Sequence, residues 1–116
     1  MAAPAFDSFR AFFPYYLAEH ANPTCRRLHY AGTTLGSAVA LYAVITQTWA
    51  LLLLYPVIGY GFAWVGHYRF EHNRPATFDY PLWSLMGDYK MLALAATGRL
   101  KEPLMAGIRK HGKQAH

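Results

Sequence analysis

Cysteine is almost missing from this chain. A single one, Cys25, occurs among 116 residues, which excludes an internal disulfide and any zinc site built from several cysteines. Charge is scarce as well: Asp, Glu, Lys and Arg make up 15% of the residues, against about 25% in ordinary globular domains. There is no glycine-rich phosphate loop, nucleophile elbow or His-Glu-x-x-His motif, so nothing points to the chemistries those motifs serve. Met1 to Phe6 lack the basic and apolar regions of a signal peptide, and no repeat or low-complexity tract is present. The length makes residues 1–116 one domain, with no room for a separate cofactor-binding module.

What is present is apolar. Hydrophobic residues reach 54%, and from Tyr30 to Gly66 there is not one Asp, Glu, Lys, Arg or His. A spanning helix takes roughly 20 residues, so this run is too long for one span and sufficient for two short ones. Thr46-Gln47-Thr48 is its most polar point and marks a turn. The expected fold is all-α: a two-span integral membrane hairpin, with helix one over about Pro23 to Ile45 and helix two over about Trp49 to Asn73. Pro56, Gly59 and Gly61 are placed to kink the second helix or let it pack closely on the first. A buried hairpin in a soluble bundle is the alternative, but so short a chain offers little protein to cover it.

All eleven Lys and Arg lie before Tyr30 or after Gly66. By the positive-inside rule both termini are then cytoplasmic, at the inner membrane of a bacterium or the endoplasmic reticulum of a eukaryote. The net charge of +5 suits anionic lipid headgroups rather than nucleic acid, because the basic residues flank apolar segments.

Before the hairpin, Phe6, Phe9, Phe12, Phe13, Tyr16 and Leu17 recur at helical spacing, with Asp7 or Ser8 available as a cap and Pro14 as an interruption. The expectation is a short amphipathic helix at the lipid–water interface; a core helix of a soluble bundle would show the same stripe. Asn22-Pro23 signals a turn and a new helix. After the hairpin, Asn73-Arg74-Pro75 ends a helix and a loop carries Phe78, Asp79 and Tyr80. Leu82 to Leu100 reads as a further helix with Leu82, Leu85, Met86, Tyr89, Leu92 and Ala96 on its apolar face and Gly98 near its end. Lys101 to His116 reads as a basic, mobile tail in which His111 and His116 are solvated.

Ionisable residues return abruptly between Trp64 and Phe78. In a continuous helix His67 and Glu71 are four apart and share a face. That pair suits a metal such as iron or zinc, and equally an ordinary hydrogen bond on a helix surface. Nine residues of unbroken helix would set His20 and His29 about 180° apart, whereas the break at Asn22-Pro23 lets them converge. In an antiparallel hairpin the start of helix one lies beside the end of helix two, so His29 and His67 meet at one membrane level. His20, His29, His67 and Glu71 thus form a candidate metal set. His72, about 100° round from Glu71, points elsewhere. Arg26, Arg27 and Arg74 can hold a carboxylate in a guanidinium fork or touch headgroups, and Asp88 is a candidate partner for a ligand histidine.

The pattern His20-x-Asn22-Pro23-x5-His29, followed beyond the apolar hairpin by Gly66-His67-x2-Phe70-Glu71-x2-Arg74-Pro75-Ala76, resembles that of the fungal 2-hydroxy-fatty-acid dioxygenases of phytosphingosine breakdown and their bacterial relatives. The likeness runs from about Tyr16 to Leu104. It implies an Fe(II)-dependent membrane enzyme that takes a 2-hydroxy fatty acid and dioxygen and shortens the acid by one carbon, releasing carbon dioxide. On that resemblance His20, His29, His67 and Glu71 fall on matching positions; Asn22, Arg26 and Arg74 are the candidate substrate-binding residues beside them. A 2-hydroxy acid can chelate Fe(II) through its hydroxyl and carboxylate, so no separate redox cofactor is required. Two rivals fit the residues: a non-catalytic membrane protein that binds lipid or a partner through its aromatic helices, and a zinc-dependent lipid hydrolase.

Overall fold

The computed structural model describes residues 5–112, and every regular element among them is helical. Ser8 starts α1 (Phe9–Ala18) by accepting the Ala11 N–H at 3.1 Å, and the helix runs on through Pro14 instead of breaking there. Asn22 starts α2 (Pro23–Ile45): its side-chain oxygen takes the N–H groups of Thr24 and Cys25 at 2.8 and 3.2 Å. Pro23 occupies the first turn, where its missing N–H costs nothing. At the other end Gln47 adopts a left-handed φ of 55°, and the N–H groups of Gln47 and Thr48 reach back to the carbonyls of Val44 and Ala43. That Schellman turn closes α2 at the polar residues singled out above.

The return leg is one apolar rod of three helical types. Trp49–Leu53 is a 3-10 turn, Leu54–Val65 is α3, and Gly66–Glu71 is π-helical. Pro56 stands in the first turn of α3, where proline is tolerated. The rod stops at Glu71 rather than Asn73, because His72 takes a left-handed φ of 57°.

The two legs touch through small residues. A Cβ added to Gly66 would meet Cys25 Sγ at 2.9 Å, one on Gly32 would meet Phe62 Cβ at 2.9 Å, and one on Gly36 would lie 3.4 Å from the Tyr55 carbonyl. These pairs run in opposite senses, so α2 and α3 are antiparallel. Gly59 and Gly61 were expected to allow the close approach, yet neither has a neighbour within 4 Å of its Cβ position; Gly59 takes part through its backbone alone.

Against the base of this hairpin sits a helical cap made of α1, α4 (Pro81–Ala96) and α5 (Lys101–His111). Its core is Phe12, Phe13, Tyr16, Leu17, Met91, Leu100 and Leu104. The aromatic stripe of α1 therefore faces protein, not a lipid surface. α4 is turned round relative to the sequence reading: Ser84, Gly87 and Met91 are buried, while Leu82, Leu85, Met86 and Tyr89 are exposed. The reason is a close packing of rings, since the Tyr16 ring lies 3.0 Å from where a Gly87 Cβ would stand and only a small residue leaves it room. The expected mobile tail is also corrected. Residues 101–111 form α5, whose buried Leu104 and Gly107 face α1, and His111 packs edge-on to Phe6 and Tyr15 at 6.0 and 5.9 Å. His116 lies outside the described residues.

Candidate metal centre

Three imidazoles meet where the cap joins the hairpin. His20 comes from the turn after α1, His29 from the second turn of α2, and His67 from the π-helical segment. All three are buried, and one ring nitrogen of each lies within 4.8 Å of the other two.

The other nitrogen of each ring is held by an oxygen acceptor. His20 Nδ1 lies 2.6 Å from the Tyr16 carbonyl and His29 Nδ1 lies 3.0 Å from the Cys25 carbonyl. His67 Nδ1 is 2.7 Å from Asn73 Oδ1, and the Asn73 amide is oriented by its NH2 group, which donates to the Glu19 carbonyl at 3.0 Å and the Glu19 carboxylate at 3.3 Å. Carbonyl oxygens only accept, so each ring carries its proton on Nδ1 and turns an unprotonated Nε2 inward. His20 Nε2 and His29 Nε2 stand 3.0 Å apart. Burial, with His29 and His67 alongside, holds the His20 imidazole well below its usual pKa, so the ring stays neutral. The cavity they enclose has a volume of about 10 Å³ and is also lined by Tyr16, Ser84 and Asp88. That is room for one small ion or water.

This donor set fits a resident metal. Three neutral imidazole nitrogens converge on one small cavity, and each ring is oriented by a hydrogen bond behind it, as metal-bound histidines are. Imidazole suits iron and zinc alike.

Glu71 is buried nearby, but its carboxylate takes the backbone N–H of Asn22, and it is not among the residues whose donor atoms come within 4.8 Å of one another. Asn22 is engaged as the α2 cap. Arg26 donates to the carbonyls of His20 and Ala21 at 2.9 and 2.7 Å. Arg27 is exposed. Arg74 pairs with Asp79 at 3.6 Å and lies over the Phe78 ring. His72 is exposed, thrown outward by its left-handed backbone. Asp88 accepts the Tyr16 hydroxyl, and the Tyr16 ring centroid lies 4.1 Å from that of His20. Burial pushes the Asp88 carboxyl up to about 7.

Sequence reasoning passed over Asn73, Glu19 and Ser84. Asn73 follows His67 by six residues, a spacing that no regular helix brings to one side; only the π-helical turn and the left-handed His72 fold it back. Its backbone N–H also returns to the His67 carbonyl at 3.1 Å, so Asn73 grips His67 twice.

The family model described as 2-hydroxy-palmitic acid dioxygenase Mpo1-like matches residues 6–100, a stretch that holds all three histidines. The chain belongs to that family. No curated protein and no solved structure gives a significant match. In this Mpo1-like protein the match covers the hairpin, α1 and α4, and stops just before α5.

Proposed function

We propose that this Mpo1-like protein is a membrane-embedded, iron(II)-dependent dioxygenase that shortens a 2-hydroxy fatty acid by one carbon. The C1–C2 bond breaks, C2 is oxidised to the new carboxyl group, and dioxygen is reduced, so that acid plus dioxygen gives the shorter acid, carbon dioxide and water. The observation that carries this reading is the convergence of three unprotonated Nε2 atoms on a small buried cavity of one-ion size. His20, His29 and His67 would hold the iron. When bound, it supplies a chelation point for the hydroxyl and carboxylate of the acid and a redox partner for dioxygen, so no nucleotide cofactor is needed.

The surrounding residues have supporting parts. The Tyr16 and Cys25 carbonyls and Asn73 keep each ring in the ligating tautomer. Glu71, the fourth ligand of the sequence reading, is assigned instead to tying the end of the π-helical segment to the start of α2. Asn22 and Arg26 hold the His20 turn, and no direct substrate contact is assigned to them or to Arg74. The buried aromatic core of the cap keeps bulk water from the site.

Membrane insertion is supported by what the hairpin leaves uncovered. Pro23–Ile45 and Trp49–Glu71 are both long and apolar enough to span, and only 6% of the most apolar window of the second is buried in the protein. Leu53 and Val57 are 74% and 66% exposed. A soluble core would be covered, and an apolar surface this wide calls for lipid or a partner. Both ends of the hairpin's charged base would then face the cytoplasm.

The test is to measure the metal content of protein purified in detergent, then supply Fe(II), air and a long-chain 2-hydroxy fatty acid and look for the acid one carbon shorter. Iron with product, both lost in His29→Ala, is the expected outcome. Iron-loaded protein that yields no shorter acid at any chain length would defeat the reading. Zinc in the site with ester hydrolysis would replace it with a hydrolase.

A further inference from the structure

A cleft leads away from the metal cavity between α2, α3 and α4, with a volume of about 80 Å³. It shares His29, Tyr60, Ala63, Thr77 and Asp88 with the cavity, so the two adjoin. The polar residues at the shared end include His29, Thr77 and Asp88, and Thr33 is a further polar residue of the lining. Beyond them the walls turn to Gly32, Pro56, Gly59 and Leu85. The far end is crossed by a chain of three hydroxyls. Tyr89 bonds Ser37 on α2 and Tyr55 on α3, each at 2.6 Å. From Ala63 to Tyr55 the wall rises by about 12 Å along α3.

A second observation shows which end takes a polar group. Ser84 Oγ is buried in the wall of the metal cavity and has no hydrogen-bond partner among the described residues. Buried hydroxyls are normally paired, so this one marks a place for a polar ligand. A polar chamber opening into a narrow apolar cleft fits a molecule with one ionised head and one alkyl chain.

We propose that the cleft is the acyl-chain subsite, and that the Tyr55–Tyr89–Ser37 hydroxyl chain closes its far end and sets the length of chain accepted. The proposal rests on the reading of the site as one that takes a 2-hydroxy fatty acid. The head group lies at the cavity by Ser84 and Asp88, and the chain runs past Gly59 and Leu85 towards Tyr89. Gly59 keeps the passage open: it lines the cleft, and nothing stands within 4 Å of its Cβ position. Gly61 is its natural control. It has the same open Cβ position two residues on, but it faces a separate groove with Leu28 and Phe62.

The experiment uses the full chain in detergent micelles. Unlabelled 2-hydroxy fatty acids of increasing length displace a radiolabelled long-chain one, and turnover of the same acids is followed separately. Gly59→Leu should weaken long-chain binding by at least about tenfold, with a loss that grows with chain length, whereas Gly61→Leu should bind as the parent does. Leu85→Trp narrows the cleft from α4 and should give the same length-dependent loss, which covers the case in which Gly59→Leu does not fold. Tyr89→Ala should move the preference to longer acids. Parent-like binding by both Gly59→Leu and Leu85→Trp, or an equal loss in Gly61→Leu, would overturn the subsite. Length-selective binding without any product leaves the subsite standing and defeats the dioxygenase reading; product formation insensitive to Gly59 and Leu85 does the reverse.

Discussion

His20 Nε2 and His29 Nε2 face each other at 3.0 Å while the proton of each ring is committed to a carbonyl on its far side. Two lone pairs so close, shielded from water, repel. The arrangement becomes favourable once a cation lies between them, and each prediction about the site follows from that.

Metal should stabilise the fold. A ligand that binds only the folded state adds about 2.7 kcal/mol at a hundredfold excess over its dissociation constant, so stripping the protein with a chelator should lower its Tm by several degrees and Fe(II) should restore it. Alanine at His20, His29 or His67 should abolish the Fe(II)-dependent shift. His72→Ala, altering an exposed ring, should keep it, and equal loss in that variant would mean that the wrong histidines have been chosen.

Asn73→Ala leaves all three ligands in place but frees His67 Nδ1 and its ring orientation. Loss of such an orienting partner costs about 10- to 100-fold in metal affinity. A metal titration of the variant followed by thermal shift reads this directly, and affinity equal to the parent's would show that the Asn73 grip is incidental.

Gly66 and Gly61 should respond oppositely to alanine. At Gly66 the new methyl meets Cys25 Sγ at 2.9 Å and Cys25 Cα at 3.2 Å, an overpacking expected to cost about 1–3 kcal/mol. At Gly61 it meets nothing, and the gain in helix propensity should stabilise by up to about 1 kcal/mol. Unfolding midpoints in mixed micelles compare the two, and Cys25→Ala in the Gly66→Ala background should recover part of the loss.

Asp88 should make stability fall with rising pH. Burial raises its carboxyl from 3.8 to about 7, against the opposing pull of the Tyr16 hydroxyl. Between those values the folded chain keeps a proton that the unfolded chain has released, so unfolding is favoured as pH climbs from about 4 to about 7. Asp88→Asn cannot titrate. The difference in Tm between parent and variant should therefore change across that window and level off above it; a constant difference would contradict the assignment.

Reporter fusions at the two termini should give signals on the same side of the membrane, because every Lys and Arg lies outside the apolar run of the hairpin. Signals on opposite sides would rule out the two-span topology.

The main lines of the fold were legible where local chemistry decides them. Asn22-Pro23 starts α2, Gln47 sits at the hairpin turn and Gly98, with a positive φ, follows α4, each through its own backbone needs. The convergence of His20, His29 and His67 followed from the break at Asn22 and the antiparallel hairpin. What pairwise spacing could not show was which side of an amphipathic helix meets protein. α1 and α4 each carry apolar residues round much of their circumference, and the choice fell to the fit of the Tyr16 ring over Gly87. The π winding from Gly66 and the left-handed His72 were equally hidden; they fold Asn73 back onto His67, while the Glu71 carboxylate goes to the Asn22 N–H.

α5 lies beyond residue 100, where the family match ends, yet Leu104 belongs to the same core as Phe13 and Leu17, and Gly107 seats against the Pro14 carbonyl. α1, braced in this way, carries the Tyr16 carbonyl that holds His20. The stretch that records kinship is thus shorter than the stretch that folds together, and a fragment trimmed to the former would lose a wall from behind one of the three converging histidines.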